Sequence, residues 1–350
     1  MRILIATNHL EHIGGSEVIA LEFATWFRTI GHEVEVYASW TRPPMREFFE
    51  NRLGLTVKSD PAAIFPLQFD LVYIQHQLAG LFSYGETTDD RRESKIVFGR
   101  LSRRSFLESG GWAHDNVLGD HSIANSELTA ARLRETGVTH PVTVFYNAAP
   151  AGYAAAPRRL PVTPRKILLI SNHHDPALLE AMGGLRERAE VRHLGRSGVV
   201  QLVTPDDIKS ADLVVSIGKS VQYALLAHTP VYVYDHFGGP GYLTADNRQL
   251  TAHYSFSGRC RERKLSATQL HDEILEGYSR GCDFARRENA EFLQRFRLEP
   301  HLNWLLALPA SSNAQRRRRM KENAAALERE RMMAEYVRAS YVTSLVSVRS

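Results

Sequence analysis

The residues best suited to ligand chemistry are Gly218, Lys219 and Ser220, set between an apolar run at 213–217 and a helix-length segment at 221–227. A glycine there lets backbone approach a ligand closely. A helix start offers unpaired N–H groups and partial positive charge, and Lys219 adds a full one, so the triplet suits a phosphate. A Walker loop is excluded, because its earlier glycine would have to stand where Leu213 does. The competing reading is a tight strand-to-helix turn with a solvated lysine. Downstream, DHFGGPG (235–241) is expected to be a glycine loop, with Gly238 and Gly239 wrapping a sugar or phosphate and Asp235 or His236 meeting hydroxyls; a plain surface turn is the alternative.

Other candidates lie elsewhere. Gly14 and Gly15 follow the first apolar run. His76 follows the run DLVYIQ at the kind of strand end where parallel sheets bind ligands. Asp120 and His121 form a second acid/base candidate. Asn172, His173, His174 and Asp175 resemble a metal cluster on paper. Neighbouring histidines rarely face one ion, however, and no third ligand spacing follows. That segment reads as a strand-to-helix loop near a ligand, with Asn172 the residue expected to touch it, and no metal site is assigned.

The elements that must position these residues follow from periodicity. An apolar first strand at 2–6 leads through a loop to a helix that Ser16 should cap, with Glu17 in its first turn. Ile19, Phe23, Trp26, Phe27 and Ile30 recur on one face, and a second strand follows at 33–38. This opening is βαβ. Further strands are expected at 70–75, 121–125 and 142–146, with a helix capped by Ser126. Residues 95–107 are expected to be helical, with Arg100, Arg103 and Arg104 on a solvated face. The Ala/Pro-rich stretch 148–165 reads as a linker. A second set of strands then begins at 166, with more near 191–194, 213–215 and 231–234, and helices near 265–278 and 285–296.

Composition narrows the classes. The formal net charge is +4, yet residues 311–350 alone hold nine Lys/Arg against four Asp/Glu, so the body is close to neutral. A nucleic-acid-binding body would carry its own basic surface, and none is expected here. Two cysteines without metal-ligand spacing indicate neither a disulfide framework nor a structural zinc site, and fit a reducing, cytoplasmic setting. The N-terminus turns polar too soon for a secretion signal, and no apolar run is long enough to span a bilayer. No G-x-G-x-x-G follows the first strand, which disfavours a dehydrogenase.

Four segments together resemble a known family. They are RILIATNHLEHIGGSEVIALEFATWFRTIGHEVEVYA with its Gly-Gly-x-Glu loop, SIANSELTAARLRETGV, VFYNAAP, and the stretch 211–243. Their order is similar to that of GT-B glycosyltransferases, above all the fourth sequence family, whose bacterial members build capsules, O-antigens and other surface glycans. The resemblance covers roughly residues 1–300. It implies two Rossmann-like, doubly wound α/β domains facing across a cleft. It also implies a nucleotide-sugar donor, a glycan or lipid-linked acceptor, no metal or other cofactor, and a histidine near the transferred sugar, here His76. Gly14 and Gly15 would approach the diphosphate or the acceptor. The family's usual glutamate pair is missing from SIGKSVQYALLAHTPVYV, where Gln222 and Tyr223 stand, and the first loop of the second half lacks the usual Arg and Lys. Retention or inversion therefore stays open.

The expected organisation is an acceptor domain at 1–150, a linker at 151–165, a donor domain at 166–295 and a segment at 296–310 packing back on the first domain. A basic helical tail occupies 311–350. That tail, with Leu327, Met332, Met333, Tyr336 and Val337, is a candidate for peripheral contact with anionic lipid at the inner face of a membrane; a solvated or partner-binding helix is the alternative. The expected function is hexosyl transfer from a nucleotide sugar. The alternatives are a GT-B nucleotide-sugar epimerase and a non-catalytic nucleotide-sugar-binding or scaffold protein.

Overall fold

A computed structural model of the protein describes residues 1–85, 92–102, 110–287 and 290–347, the last of these without side chains from 341. The chain forms two units, Met1–Val144 with Leu302–Ser350, and Phe145–His301. The first division falls a few residues before the expected boundary, and the tail belongs to the N-terminal unit.

In the first unit, β1 (Arg2–Leu10), β2 (Glu33–Thr41), β3 (Val57–Lys58), β4 (Leu71–Gln75), β5 (Glu93–Arg100), β6 (His121–Ala124) and β7 (Val142–Val144) form a parallel sheet in the order β3-β2-β1-β4-β5-β6-β7. The period of two explains its two buried faces. Leu4 and Ala6 of β1 join Val72, Ile74, Ile96 and Phe98 in one cluster. On the helix that follows β1, Gly15–Thr29, Ile19, Phe23 and Phe27 are buried, and Phe23 meets Tyr73 of β4 with ring centroids 4.8 Å apart. Ile30, counted on that face from its spacing, lies beyond the last helical turn and is exposed.

Three local expectations change. The helix after β1 starts at Gly15 with Gly14 as its N-cap, and the Ser16 hydroxyl donates to Glu17 instead of capping. Residues 93–100 are β5, not helix: Ile96, Val97 and Phe98 are all fully buried, as in a strand covered on both faces. Arg100 is correspondingly buried; Arg103 and Arg104 lie outside the described residues.

The tail is part of this unit's packing. Ser311–Ser312, β13, pairs antiparallel with the start of β5. Helix Asn313–Glu322 follows, capped by the Ser312 hydroxyl, and then helix Ala324–Ser347. Arg316, first of the four-arginine run, is fully buried. Its guanidinium donates to the carbonyls of Leu118 (2.9 Å), Ser311 (2.8 Å) and Ser94 (3.0 Å), to Asn313 Oδ1 (2.9 Å) and to Asp120. Leu327 is buried, while Met332 and Tyr336 are exposed. Among the described residues no helix is long and apolar enough to cross a membrane.

In the second unit, β8 (Lys166–Ile170), β9 (Glu190–Leu194), β10 (Leu213–Ser216), β11 (Val231–Asp235) and β12 (Gly238–Tyr242) are ordered β12-β11-β10-β8-β9, parallel except for β12. The expected glycine loop at 235–241 is therefore mostly a strand. Gly239 serves that pairing, since a Cβ there would lie 2.0 Å from the Val233 carbonyl oxygen, while Gly238 has a left-handed φ of 86° and lies against the Arg263 backbone. The expected helices near 265–278 and 285–296 begin as one helix, Ala267–Arg287. The expected linker packs onto this unit, where Tyr153 is buried and stacks on Tyr223 with ring centroids 3.8 Å apart.

Candidate active site

Parallel pairing of β1 with β4 sets their C-terminal ends side by side. Thr7, Asn8 and His9 thereby meet Gln75 and His76. His76 is buried, and its φ of 57° is left-handed. That conformation costs a non-glycine residue roughly 1–3 kcal/mol, so the surroundings must impose it. They do so on both ends of the residue. The backbone N–H of Asn8 donates to His76 Nδ1 (3.1 Å), which puts the ring proton on Nε2, and Arg100 donates to the His76 carbonyl (2.5 Å). Arg100 pairs at 2.5 Å with Asp115, also buried. Burial raises the Asp115 pKa, and the Arg100 charge opposes the shift.

Beside this network stands a pair that spacing alone had not marked. His9 Nε2 lies 3.3 Å from Glu17 Oε1; the Glu17 carboxylate is buried, whereas the His9 side chain is 32% exposed. Ser16 Oγ donates to the other carboxylate oxygen at 2.8 Å, and Gln75 Nε2 donates to the Ser16 carbonyl at 3.2 Å. Gly14 leaves room for this arrangement: a Cβ there would lie 2.5 Å from Glu17 Oε2, so the carboxylate would have to shift away. Gly15 has open space at its Cβ position. The His9 and His76 rings are 5.1 Å apart. The result is a partly exposed imidazole held against a buried carboxylate at a strand's C-terminal end. That combination orients a general base and stabilises the imidazolium it becomes. The sequence held a signal in His9, Glu17 and the Gly-Gly turn between them, but which loop residue reaches the carboxylate depends on the fold.

Asp120 and His121 sit at the start of β6, the opposite edge of the same sheet from His76. Asp120 accepts from the Ile96 N–H (2.8 Å), from Ser311 Oγ (2.5 Å) and from Arg316. His121 Nε2 is 2.9 Å from Thr143 Oγ1, and its ring meets Trp304 edge-on at 4.7 Å. Burial lowers the His121 pKa, with Asp120 acting the other way. We assign this pair to holding the tail, not to proton transfer.

In the second unit, Gly218 adopts a left-handed φ of 62° before helix Lys219–Leu226, which accounts for the glycine. The Lys219 ammonium donates to the carbonyls of Asn147 (3.1 Å) and Ala148 (2.9 Å), and lies 5.3 Å from the Tyr223 ring centroid. It is thus tied to the segment entering the unit, not simply solvated; Ser220 is half-buried in the next position. Gln222 is buried and donates to the Tyr146 carbonyl (2.8 Å). The residues standing where a glutamate pair was expected are packing residues. Asn172 is exposed in the loop after β8. Asp235, the last residue of β11, is buried, and burial pushes its carboxyl up to about 6. Around it lie His173, His236, Arg259 and Lys264; Arg259 stacks on Phe237 at 3.8 Å and Lys264 donates to the His236 carbonyl.

No protein-family model matches the chain, and no curated protein sequence does. Solved structures do. UDP-GlcNAc 2-epimerase from Neisseria meningitidis, bound to UDP-GlcNAc, is similar over 88% of this chain and 99% of its own, with 11% identity and a TM-score of 0.50. The parallel sheets of both units and this likeness decide the architecture. The chain has the GT-B fold. Two further GT-B matches are the spinosyn forosaminyltransferase SpnP (15% identity, 88% of this chain and 100% of that one, TM-score 0.47) and WaaG, a glycosyltransferase involved in lipopolysaccharide biosynthesis (11%, 87% and 99%, 0.46).

Proposed function

We propose that this GT-B protein is a glycosyltransferase that moves a sugar from a nucleoside-diphosphate sugar to a hydroxyl of a surface-glycan or lipid-linked acceptor. The observation that carries the reading is the His9–Glu17 pair at the C-terminal edge of the first sheet. In the reaction, the His9 imidazole takes the acceptor hydroxyl proton as the acceptor oxygen bonds to the anomeric carbon. The bond from that carbon to the diphosphate oxygen breaks, and the nucleoside diphosphate leaves. Direct displacement of this kind inverts the anomeric centre. Glu17 stabilises the imidazolium, and His76 positions the strand ends that hold His9.

The second unit takes the donor. Its strand-end residues Asn172, Gly218, Ser220, Asp235 and His236 offer backbone and side-chain groups for the sugar and the diphosphate. Arg259 and Lys264 supply positive charge beside Asp235, which favours an anion there. Lys219 contributes through the segment it ties down.

Thermal shift against a panel of nucleotides and nucleotide sugars, followed by transfer to hydroxyl acceptors with the preferred donor, tests the reading. Stabilisation by one nucleotide class and acceptor-dependent release of that diphosphate support it. Interconversion of the free nucleotide sugar without acceptor would make the protein an epimerase instead, and binding without turnover a scaffold.

A further inference from the structure

We propose that the second unit binds one divalent transition-metal ion through His173, Asp235 and His236. The three come from strand ends that flank β10: His173 from the loop after β8, Asp235 from the end of β11, and His236 from the turn into β12. Each offers one ligand atom, and the three atoms lie within 4.8 Å of one another. Asp235 Oδ2 is 3.0 Å from His236 Nδ1 and 3.7 Å from His173 Nδ1. Ligands held about 2.0–2.2 Å from a common ion stand roughly 3.0–3.6 Å from each other, so the two Asp235 distances fit almost as they stand, while the two imidazoles would adjust toward each other on binding.

A second observation points to a missing ligand partner. Asp235 is 1% exposed, and its two oxygens are treated differently. One accepts from the Phe237 N–H at 2.9 Å, while Oδ2 makes no hydrogen bond. His236 Nδ1, 3.0 Å away and within ion-pair range, is likewise buried and makes no hydrogen bond. A buried carboxylate oxygen left this way is costly unless something completes it. A metal ion bound there would satisfy both atoms. Two imidazoles and one carboxylate suit zinc, cobalt, nickel, manganese or iron rather than magnesium or calcium, which prefer all-oxygen shells. Three protein ligands leave a fourth position open, on the side where the His173 side chain is 48% exposed. The nearby charges of Arg196, Arg259 and Lys264 disfavour a bare cation and favour an anionic fourth ligand. His174, next in sequence to His173, is no part of the cluster.

The site shares Asp235 and His236 with the proposed donor-binding edge, but its test needs no substrate and so stands or falls apart from the glycosyl-transfer reading. Full-length protein stripped with a chelator is titrated with Co²⁺, following visible absorption and heat of binding. One equivalent should bind and develop a ligand-field band. His173→Ala, which removes a half-exposed side chain and should leave folding intact, should weaken binding by at least about tenfold. His236→Ala should do the same, and His271→Ala, a partly exposed residue of helix Ala267–Arg287, should not. Absence of the band, or equal affinity in His173→Ala and the unaltered chain, would overturn the site. It would leave Asp235 and His236 as a simple ion pair.

Discussion

The two edges of the first unit's sheet use the same residue types for opposite ends. At the C-terminal edge, Glu17 is buried and His9 reaches solvent beside it. At the N-terminal edge, Asp120 and His121 are spent on internal partners: three donors converge on the Asp120 carboxylate, and His121 is closed off by Thr143 and Trp304. A histidine beside a carboxylate is therefore not a site by itself. What separates the two pairs is which end of a parallel strand they occupy, and whether the imidazole keeps a face for a substrate.

The comparison can be broken from either side. The largest effect should come from Arg316→Ala, which strands the Asp120 carboxylate and several carbonyls. Loss of one partner of a buried pair costs about 3–5 kcal/mol, readable as a lower urea midpoint, and an unchanged midpoint would mean that the edge is not structural. His9→Ala removes the partly exposed partner of Glu17, so it should lower that midpoint less than Arg316→Ala does, and it should lower the transfer rate by about 10²–10⁴-fold. Glu17→Gln, which keeps the shape but not the charge, should reduce the rate by at least about tenfold, with KM nearly unchanged. A smaller effect is expected with pH. Burial holds the His140 pKa down, to about 4 against an ordinary 6.5. Its neutral form is the native one, so its contribution is present above pH 6.5 and is lost as pH falls from there towards 4, on the order of 2 kcal/mol. Urea midpoints across that window should fall less steeply in His140→Gln. The smallest effect belongs to Tyr336→Ser on the exposed tail face, within about 0.5 kcal/mol of the unaltered chain.

Much of the architecture was legible in the chain. Buried parallel strands print as apolar runs, and β1, β4, β8 and β11 lie close to where such runs predict them. Ser126 does cap its helix, accepting from the Thr129 N–H. β5 was misread because its eight residues continue into arginines that mimic a solvated helical face, while Arg100 is buried against Asp115. The glycines of β12 print as a loop, although Gly239 is there so that the backbone can lie against β11. The sites were less legible. His76 does follow a strand, as its place in the sequence predicts. His9 and Glu17 were missed because their contact depends on how the Gly-Gly turn folds back. The cluster joins the adjacent pair Asp235-His236 to His173, far earlier in the chain, so no local spacing could announce it, whereas the adjacent pair His173-His174 drew notice and contributes only one member.

The most direct test of the central claim is a transfer assay comparing the unaltered chain with His9→Ala, using whichever nucleotide sugar stabilises the protein and a panel of glycan and lipid-linked acceptors. Acceptor-dependent release of nucleoside diphosphate with inverted product, lost in His9→Ala while donor binding persists, is the predicted result. Full activity in His9→Ala, or turnover of the nucleotide sugar that ignores every acceptor, would contradict it.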